Sequence, residues 1–199
     1  MIFERGYFKS NRIQKGAIEK SLNESRSFSE KGYNTQHYDY KPTVFISHKH
    51  SDIEDEEELK GIMELLEDMG AKIYIDSMDN KMPNQTSGET ALRIKEVIKY
   101  CKKFVLIATK KAIESYWCNW ELGIGDVHKY KSHMAIFAIK EKDQYDSQYK
   151  GNEYLKIYKS ITYREQDSRN LWGDLIKKGY YVKDPDDNFI EPLKNWLND

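Results

Sequence analysis

The stretch YWCNWELGIGD, residues 116–126, places one carboxylate among large aromatic side chains. Trp117 and Glu121 are four residues apart, so a helix would bring them onto one face. An indole beside a carboxylate gives a flat apolar wall and a single anion, which suit a flat heteroaromatic group attached to a ribose. Cleavage of that glycosidic bond builds positive charge on the sugar, and a fixed carboxylate in a poorly solvated pocket stabilises such charge.

The number of carboxylates limits which glycosidic bonds the site could cleave. A usual glycosidase needs two carboxyl groups, because the leaving oxygen must be protonated. Nicotinamide leaves NAD+ as a neutral molecule and needs no proton. Glu121 alone could therefore suffice for cleavage of NAD+.

Strands and helices alternate along the chain from residue 42, and this alternation determines where Glu121 lies. Apolar runs predict strands at residues 44–47, 72–75, 104–108 and 134–139, and a fifth within residues 157–163. Apolar residues at helical spacing predict helices after the first two strands, and the YWCNWELGIGD stretch is predicted to be the next helix. Such alternation implies right-handed crossovers and an α/β fold, with a parallel sheet of about five strands covered on both faces.

The two ends of the chain differ from this pattern. Residues 1–41 are rich in Ser, Asn, Lys and Tyr without a sustained period, so we predict an arm or cap that could order on assembly. A short helix is predicted within residues 13–22, and a single domain of residues 42–199 follows the arm. A closing helix is predicted over residues 189–197, with Leu193, Trp196 and Leu197 facing inward.

Composition excludes several classes of protein. The chain has 199 residues, a net charge of −1 and 33% charged residues of both signs, which argues against a nucleic-acid-binding protein. No long apolar run is present, so no membrane span is expected, and the first residues lack the apolar segment of a secretory signal. Cys101 and Cys118 lie far apart, which fits two free thiols in a cytoplasmic protein.

Ligands of an open parallel α/β sheet bind beyond the carboxyl ends of its strands. That rule selects residues 47–52, residues 76–83, and the loop and helix after the third strand. His48 and His50 lie in the first segment, but no cysteine or carboxylate stands at ligand spacing from them, so no metal site is expected. Asp76 could simply end its strand.

Several residues of the YWCNWELGIGD stretch have two interpretations. Trp117 and Trp120 are expected in different environments, Trp117 in the pocket and Trp120 in the core or at an interface. Gly123 and Gly125 each cost a helix about 1 kcal/mol relative to Ala, so they either permit close packing on the sheet or end the helix near residue 126. Glu121 itself could be an exposed helix carboxylate without a catalytic role.

Three motifs together resemble the Toll/interleukin-1 receptor (TIR) domain. They are VFISH at residues 44–48 followed by Ser51 and Asp52, YID at residues 74–76 followed by a polar loop that ends in MP at 82–83, and WCNWEL at residues 117–122. Their order and spacing are most similar to the stand-alone bacterial TIR domains that cleave NAD+. The resemblance covers residues 43–140 well and the remainder poorly.

The resemblance implies a flavodoxin-like, doubly wound sheet and makes Glu121 the catalytic residue. It also implies that the loop of residues 79–83 is a mobile segment over the site, which is called the BB loop in this family. It assigns substrate contacts to Phe45, Ser47, His48, Lys49, Asp79, Met82 and Trp117. The family often has arginine just after the first strand, so the presence of Lys49 and His50 there leaves the phosphate contacts open.

The resemblance implies two functions of different classes. The first is an enzyme that releases nicotinamide from NAD+ and produces ADP-ribose, a cyclic isomer or an ADP-ribose conjugate, in anti-phage defence of the Thoeris type. It would use NAD+ as its substrate without a further cofactor, self-associate through TIR–TIR contacts and signal to a downstream effector. The second is a non-catalytic scaffold that recruits other TIR domains and has no need of Glu121 with Trp117. A nucleoside deoxyribosyltransferase-like enzyme is a third reading, because it also uses a carboxylate on a related sheet.

Overall fold

The computed structural model describes residues 2–10, 43–49, 53–76, 87–142, 152–169, 173–187 and 189–199, with the side chains of residues 10 and 53–56 left out. The helix predicted within residues 13–22 and the predicted boundary at residue 41 lie outside these ranges. The strands are β1 (Phe3–Glu4), β2 (Thr43–Ser47), β3 (Lys72–Tyr74), β4 (Lys103–Ala108), β5 (Met134–Lys140), β6 (Lys159–Arg164), β7 (Ser168–Arg169), β8 (Leu175–Ile176), β9 (Gly179–Lys183) and β10 (Ile190–Pro192). The helices are α1 (Tyr7–Ser10), α2 (Ile53–Asp68), α3 (Gly88–Tyr100), α4 (Lys110–Glu114), α5 (Tyr116–His128) and α6 (Leu193–Asn198), with 3-10 turns at Lys131–His133 and Glu153–Ile157.

A parallel sheet forms the centre of the molecule, in the order β6-β5-β4-β2-β3. Connections run outward in both directions from β2, so the sheet is doubly wound and flavodoxin-like, as predicted. The five predicted strands are all present. The sheet is extended beyond them by β9 and β10, which are antiparallel, and by β1, which pairs in parallel with the end of β5.

Helices cover both faces of the sheet, and the two faces have separate cores. Alternation along β2 directs Val44 and Ile46 to the face covered by α1, α2 and α6. The same alternation directs Phe45 to the face covered by α3, α4 and α5. Leu193, Trp196 and Leu197 of α6 are buried as predicted, although residues 190–192 before them form a strand and not the start of the helix.

Close packing of α5 on the sheet depends on Gly125. A Cβ at this position would lie 3.0 Å from Cδ2 of Phe104 and 3.1 Å from Cε of Met134. The first interpretation of this glycine is therefore confirmed, while the alternative of a helix end near residue 126 is wrong, because α5 continues to His128. The missing side chain lets the helix approach the sheet closely enough to bury its inward residues.

Residues 2–10 pack against the sheet and α2. The carboxylate of Glu58 accepts hydrogen bonds from the backbone N–H of Gly6 at 2.6 Å and of Phe8 at 3.3 Å. A Cβ at Gly61 would lie 2.5 Å from the carbonyl oxygen of Phe8, so α1 can approach α2 only over a glycine. The start of the chain is thus fixed to the domain by buried backbone contacts.

The predictions about the cysteines and about a membrane span can be compared with the described residues. Cys101 and Cys118 are buried free thiols, as predicted. Within the ranges given above, no helix is long and apolar enough to cross a lipid bilayer.

Candidate active site

Glu121 lies on the side of α5 that faces the sheet. The helix begins after Ser115, whose hydroxyl accepts a hydrogen bond from the backbone N–H of Cys118 at 3.4 Å. The buried residues of α5 recur at helical spacing and are Cys118, Glu121, Leu122 and Gly125. Because Glu121 belongs to this stripe, it is only 2% exposed, and the interpretation as an exposed helix carboxylate is wrong. Acidic side chains are rarely buried to this extent without a partner.

Ser47, the last residue of β2, holds the carboxyl group of Glu121. Its hydroxyl donates to Oε2 of Glu121 at 2.5 Å, and both side chains are buried. One residue further on, the carbonyl oxygen of His48 accepts a hydrogen bond from Sγ of Cys118 at 3.4 Å. Two buried contacts therefore join α5 to the carboxyl end of β2, where ligands bind in folds of this class.

Burial dominates the electrostatics of Glu121. It raises the pKa of Glu121 to about 8, and the negative charge of Asp76 acts in the same direction. Hydrogen bonds from the side chains of Ser47 and Trp117 favour the anion and offset part of this effect. With such a pKa, the protonated form of Glu121 predominates at pH 7 in this state.

The two tryptophans of α5 form one aromatic wall. The ring centroids of Trp117 and Trp120 are 5.0 Å apart with the planes tilted by 35°, and both side chains are half-buried. The expectation that they occupy different environments is wrong, because residues three apart on a helix are neighbours. Between them Asn119 donates to the carbonyl oxygen of Ile113 at 2.8 Å. The two indoles therefore contact each other, and Trp117 is the one that acts on Glu121.

A narrow cleft lies next to this site, on the α2 side of the sheet. It is lined by His48, Lys49, Glu58, Leu59, Ile107 and Thr109. His48 is almost fully buried, whereas Lys49 is partly exposed. Because His48 directly follows Ser47, the cleft and the Glu121 carboxyl group lie near the end of one strand, on opposite faces of the sheet.

The remaining predicted contacts lie elsewhere. Phe45 is fully buried in the core, where its ring stacks on Tyr74 at 5.7 Å and on Phe104 at 5.5 Å. Its buried ring offers no surface to a substrate here, so a direct contact is not supported by this placement. Asp79 and Met82 lie outside the described residues. The structure thus brings together Ser47, Glu121 and Trp117, with His48 and Lys49 beside them.

Comparison with known proteins places the sequence in a family. A TIR domain family model matches residues 44–173 of the chain. The chain belongs to the TIR domain family. It is also 28% identical, over 159 residues, to a Bacillus cereus (strain MSX-D12) protein named "Probable 3' cyclic ADP-D-ribose synthase ThsB'". That alignment covers 77% of this chain and 74% of the Bacillus protein. No solved structure matches the chain.

Asp76 belongs to a segment and a motif that the sequence analysis selected, but no contact was assigned to it. Phe45-Ile46-Ser47 and Tyr74-Ile75-Asp76 have the same pattern of an aromatic residue, isoleucine and a polar residue. Ser47 ends its strand, whereas Asp76 lies two residues past the end of β3 and is half-buried. The charge of Asp76 acts on Glu121 from that position.

Proposed function

We propose that this TIR domain cleaves the bond between nicotinamide and ribose in NAD+, with Glu121 as the catalytic carboxylate. The observation that carries the proposal is the buried Glu121 carboxyl group, held by Ser47 beside two indoles at the carboxyl end of a parallel sheet. The similarity to a protein named as a cyclic ADP-D-ribose synthase supports it, since ADP-ribosyl products form when NAD+ loses nicotinamide.

The burial of Glu121 favours an enzyme over a scaffold. Burial of an ionisable carboxyl group costs free energy, as the raised pKa of Glu121 indicates. A protein that acts only through its outer surface has no need for that cost. A catalyst benefits from the buried carboxyl group, because an anion in a poorly solvated pocket stabilises the positive charge that develops on the ribose.

The side chains of the candidate site have separate roles in this mechanism. The indoles of Trp117 and Trp120 form the wall against which the flat nicotinamide ring can pack. The Ser47 hydroxyl orients the carboxyl group of Glu121, whose anion faces the ribose as nicotinamide departs as a neutral molecule. Water, or for a cyclic product a hydroxyl group of the same molecule, then bonds to the ribose carbon and loses a proton. Among the described residues, Lys49 is the cation closest in sequence to Ser47, and its charge suits the diphosphate of NAD+. NAD+ is the substrate, and the mechanism uses no further cofactor.

The direct test is incubation of the protein with NAD+. Free nicotinamide is measured by chromatography, and the remaining nucleotide is identified by mass spectrometry and by comparison with ADP-ribose and cyclic standards. We favour a cyclised product because of the named activity of the Bacillus relative. The absence of nicotinamide release from folded, concentrated protein would contradict the proposed function, and ADP-ribose as the product would contradict only the cyclisation.

Substitutions of Trp117 and Trp120 should differ in their effect on the pH dependence of kcat/KM. Only the Glu121 anion is active, so kcat/KM should rise about tenfold per pH unit below pH 8 and level off above it. Trp117→Phe keeps an aromatic wall but removes the hydrogen bond that favours the anion, so the midpoint should move upward by roughly half to one pH unit. The matched control, Trp120→Phe, should leave the midpoint in place. Equal midpoints for both variants would contradict the assigned contact.

Self-association is the second part of the proposal. Tyr116 and Val127 of α5 are 94% and 78% exposed, so the helix that carries Glu121 also presents apolar side chains to a neighbour. We expect the specific activity to rise with protein concentration. A flat profile from dilute to concentrated protein, with a monomeric mass by light scattering in the presence of NAD+, would contradict this expectation.

The nucleotide product of the reaction acts as a signal to a separate effector in a defence response of the Thoeris type.

A further inference from the structure

Residues 2–10 form a strap that crosses from the end of β5 to the side of α2. On β5 the strap is matched by charge: Oε1 of Glu4 lies 3.2 Å from Nζ of Lys140, and a guanidinium nitrogen of Arg5 lies 2.9 Å from Oε1 of Glu141. The backbone N–H of Arg5 also donates to the carbonyl oxygen of Lys140 at 2.8 Å. The two ion pairs have opposite polarity, so they specify the register of the strap on β5.

Glu58 is the residue through which the strap holds α2. Its side chain is buried, and its two carboxylate oxygens accept the backbone N–H groups of Gly6 and Phe8. Burial raises the pKa of Glu58, and these two hydrogen bonds oppose that effect, together with the positive charges of Lys9 and Arg5. Within the described part of the chain, the groups that favour the Glu58 anion therefore belong to the strap.

The same carboxylate lines the cleft beside the candidate site. His48 and Lys49 line this cleft with Glu58, and Lys49 is partly exposed. Release of the strap would remove both hydrogen bonds and both charges that compensate the buried Glu58 anion. A buried carboxylate without compensation is costly, so it is expected to take a cation within reach. Lys49 is a cation in the same cleft.

We propose that the strap is a detachable element that controls Lys49 through Glu58. While the strap is attached, its own groups compensate Glu58, and Lys49 is available to the diphosphate of NAD+. When the strap is released, Glu58 pairs with Lys49, and the dinucleotide binds more weakly. Glu58 is thus a positioning residue that acts on the substrate only through Lys49. The inference rests on the proposed function, because that function assigns Lys49 to the diphosphate.

Gly61→Ala releases the strap without changing any of its residues. Ala favours a helix more than Gly does, so α2 itself is not weakened, but the new Cβ would lie 2.5 Å from the carbonyl oxygen of Phe8. Release is measured by hydrogen exchange of the backbone amides of residues 5–8. The matched control is Gly88→Ala at the start of α3, where a Cβ would meet nothing within 4 Å. The control should keep these amides protected.

Binding of ADP-ribose, measured by calorimetry, reports on the diphosphate contact without cleavage. In Gly61→Ala the Kd of ADP-ribose should rise about tenfold, as expected for loss of one charge-assisted hydrogen bond. The KM for NAD+ should rise by a similar factor with little change in kcat, because Glu121 lies on the other face of the sheet. Gly88→Ala should leave the Kd and the KM unchanged.

A second substitution distinguishes the charge of Glu58 from structural damage. Addition of Glu58→Gln to Gly61→Ala removes the anion that competes for Lys49, so the Kd should return close to the wild-type value while the strap stays released. Damage to the fold would not be repaired in this way. Phe8→Asp, which places a charge at a buried position of the strap, is a second means of release. It should give the same loss of affinity and the same rescue.

Two results would overturn the inference. They are an unchanged Kd of ADP-ribose after release of the strap, and a double variant that binds ADP-ribose no better than Gly61→Ala. Failure of the wild-type protein to release nicotinamide would contradict the proposed function instead. Because the ADP-ribose affinities do not depend on cleavage, the two failures are distinguishable.

Discussion

Replacement of Glu121 by Gln is expected to lower the rate of NAD+ cleavage by at least about a factor of 1000 while the protein stays folded. Gln has the same shape, and its carbonyl oxygen can still accept the hydrogen bond that Ser47 donates at 2.5 Å. The variant cannot supply the anion that stabilises positive charge on the ribose. The measurement is nicotinamide release, with a thermal melt by circular dichroism on the same sample.

An exposed acid close in sequence gives the matched control. Glu114, at the end of α4, is exposed, so Glu114→Gln should keep wild-type activity. Turnover close to the wild-type rate in a folded Glu121→Gln variant would remove Glu121 from the mechanism. The activity of that variant should also stay low at every pH, because no group at position 121 remains to be deprotonated.

The same substitution is expected to stabilise the protein in alkaline solution, by on the order of 4 kcal/mol at pH 8 to 9. Burial raises the pKa of Glu121 from 4.5 to about 8, so the folded protein keeps a proton that the unfolded chain has already lost. The contribution of Glu121 to stability is therefore present below pH 4.5 and is lost as the pH rises to about 8. Gln does not titrate, so the variant escapes this loss, and near pH 5 the two proteins should have similar stability.

Urea unfolding at several pH values between 5 and 9 measures this difference. Glu96→Gln, which changes an exposed acid, should follow the wild-type curve at every pH. Parallel curves for wild type and Glu121→Gln would show that the carboxyl group is solvated in solution. A widening difference would show that the site reduces stability to keep a reactive carboxyl group, which is a common compromise in enzymes.

The central strands could be predicted from sequence because their signals are local. Each is a continuous apolar run between polar segments, as expected for parallel strands buried on both faces. β9 and β10 lack this signal, because they lie at the edge of the sheet and are only partly buried. β1 has two residues, and its partner lies more than 130 residues away in the sequence, so no local pattern reveals it.

The candidate site was predictable to the extent that helical spacing determines it. Trp117 and Glu121 were found because a separation of four residues puts them on one face of a helix. The same rule applied to a separation of three would have placed Trp120 beside Trp117. The contact of Ser47 with Glu121 joins residues 74 positions apart, and it depends on how α5 packs against β2 in the folded sheet.

The position of β1 affects the order in which the protein can be completed during synthesis. Phe3 pairs with Ile139, so the first strand cannot join the sheet until the ribosome has passed β5. At about 5 to 20 residues per second, this delay is roughly 10 to 30 seconds. During that time Phe3 and Phe8, which are 1% and 2% exposed in the finished protein, have no β5 to pack on. We therefore expect residues 3–8 to join the fold only after β5 has been made, and their two phenylalanines to be accessible to chaperones until then.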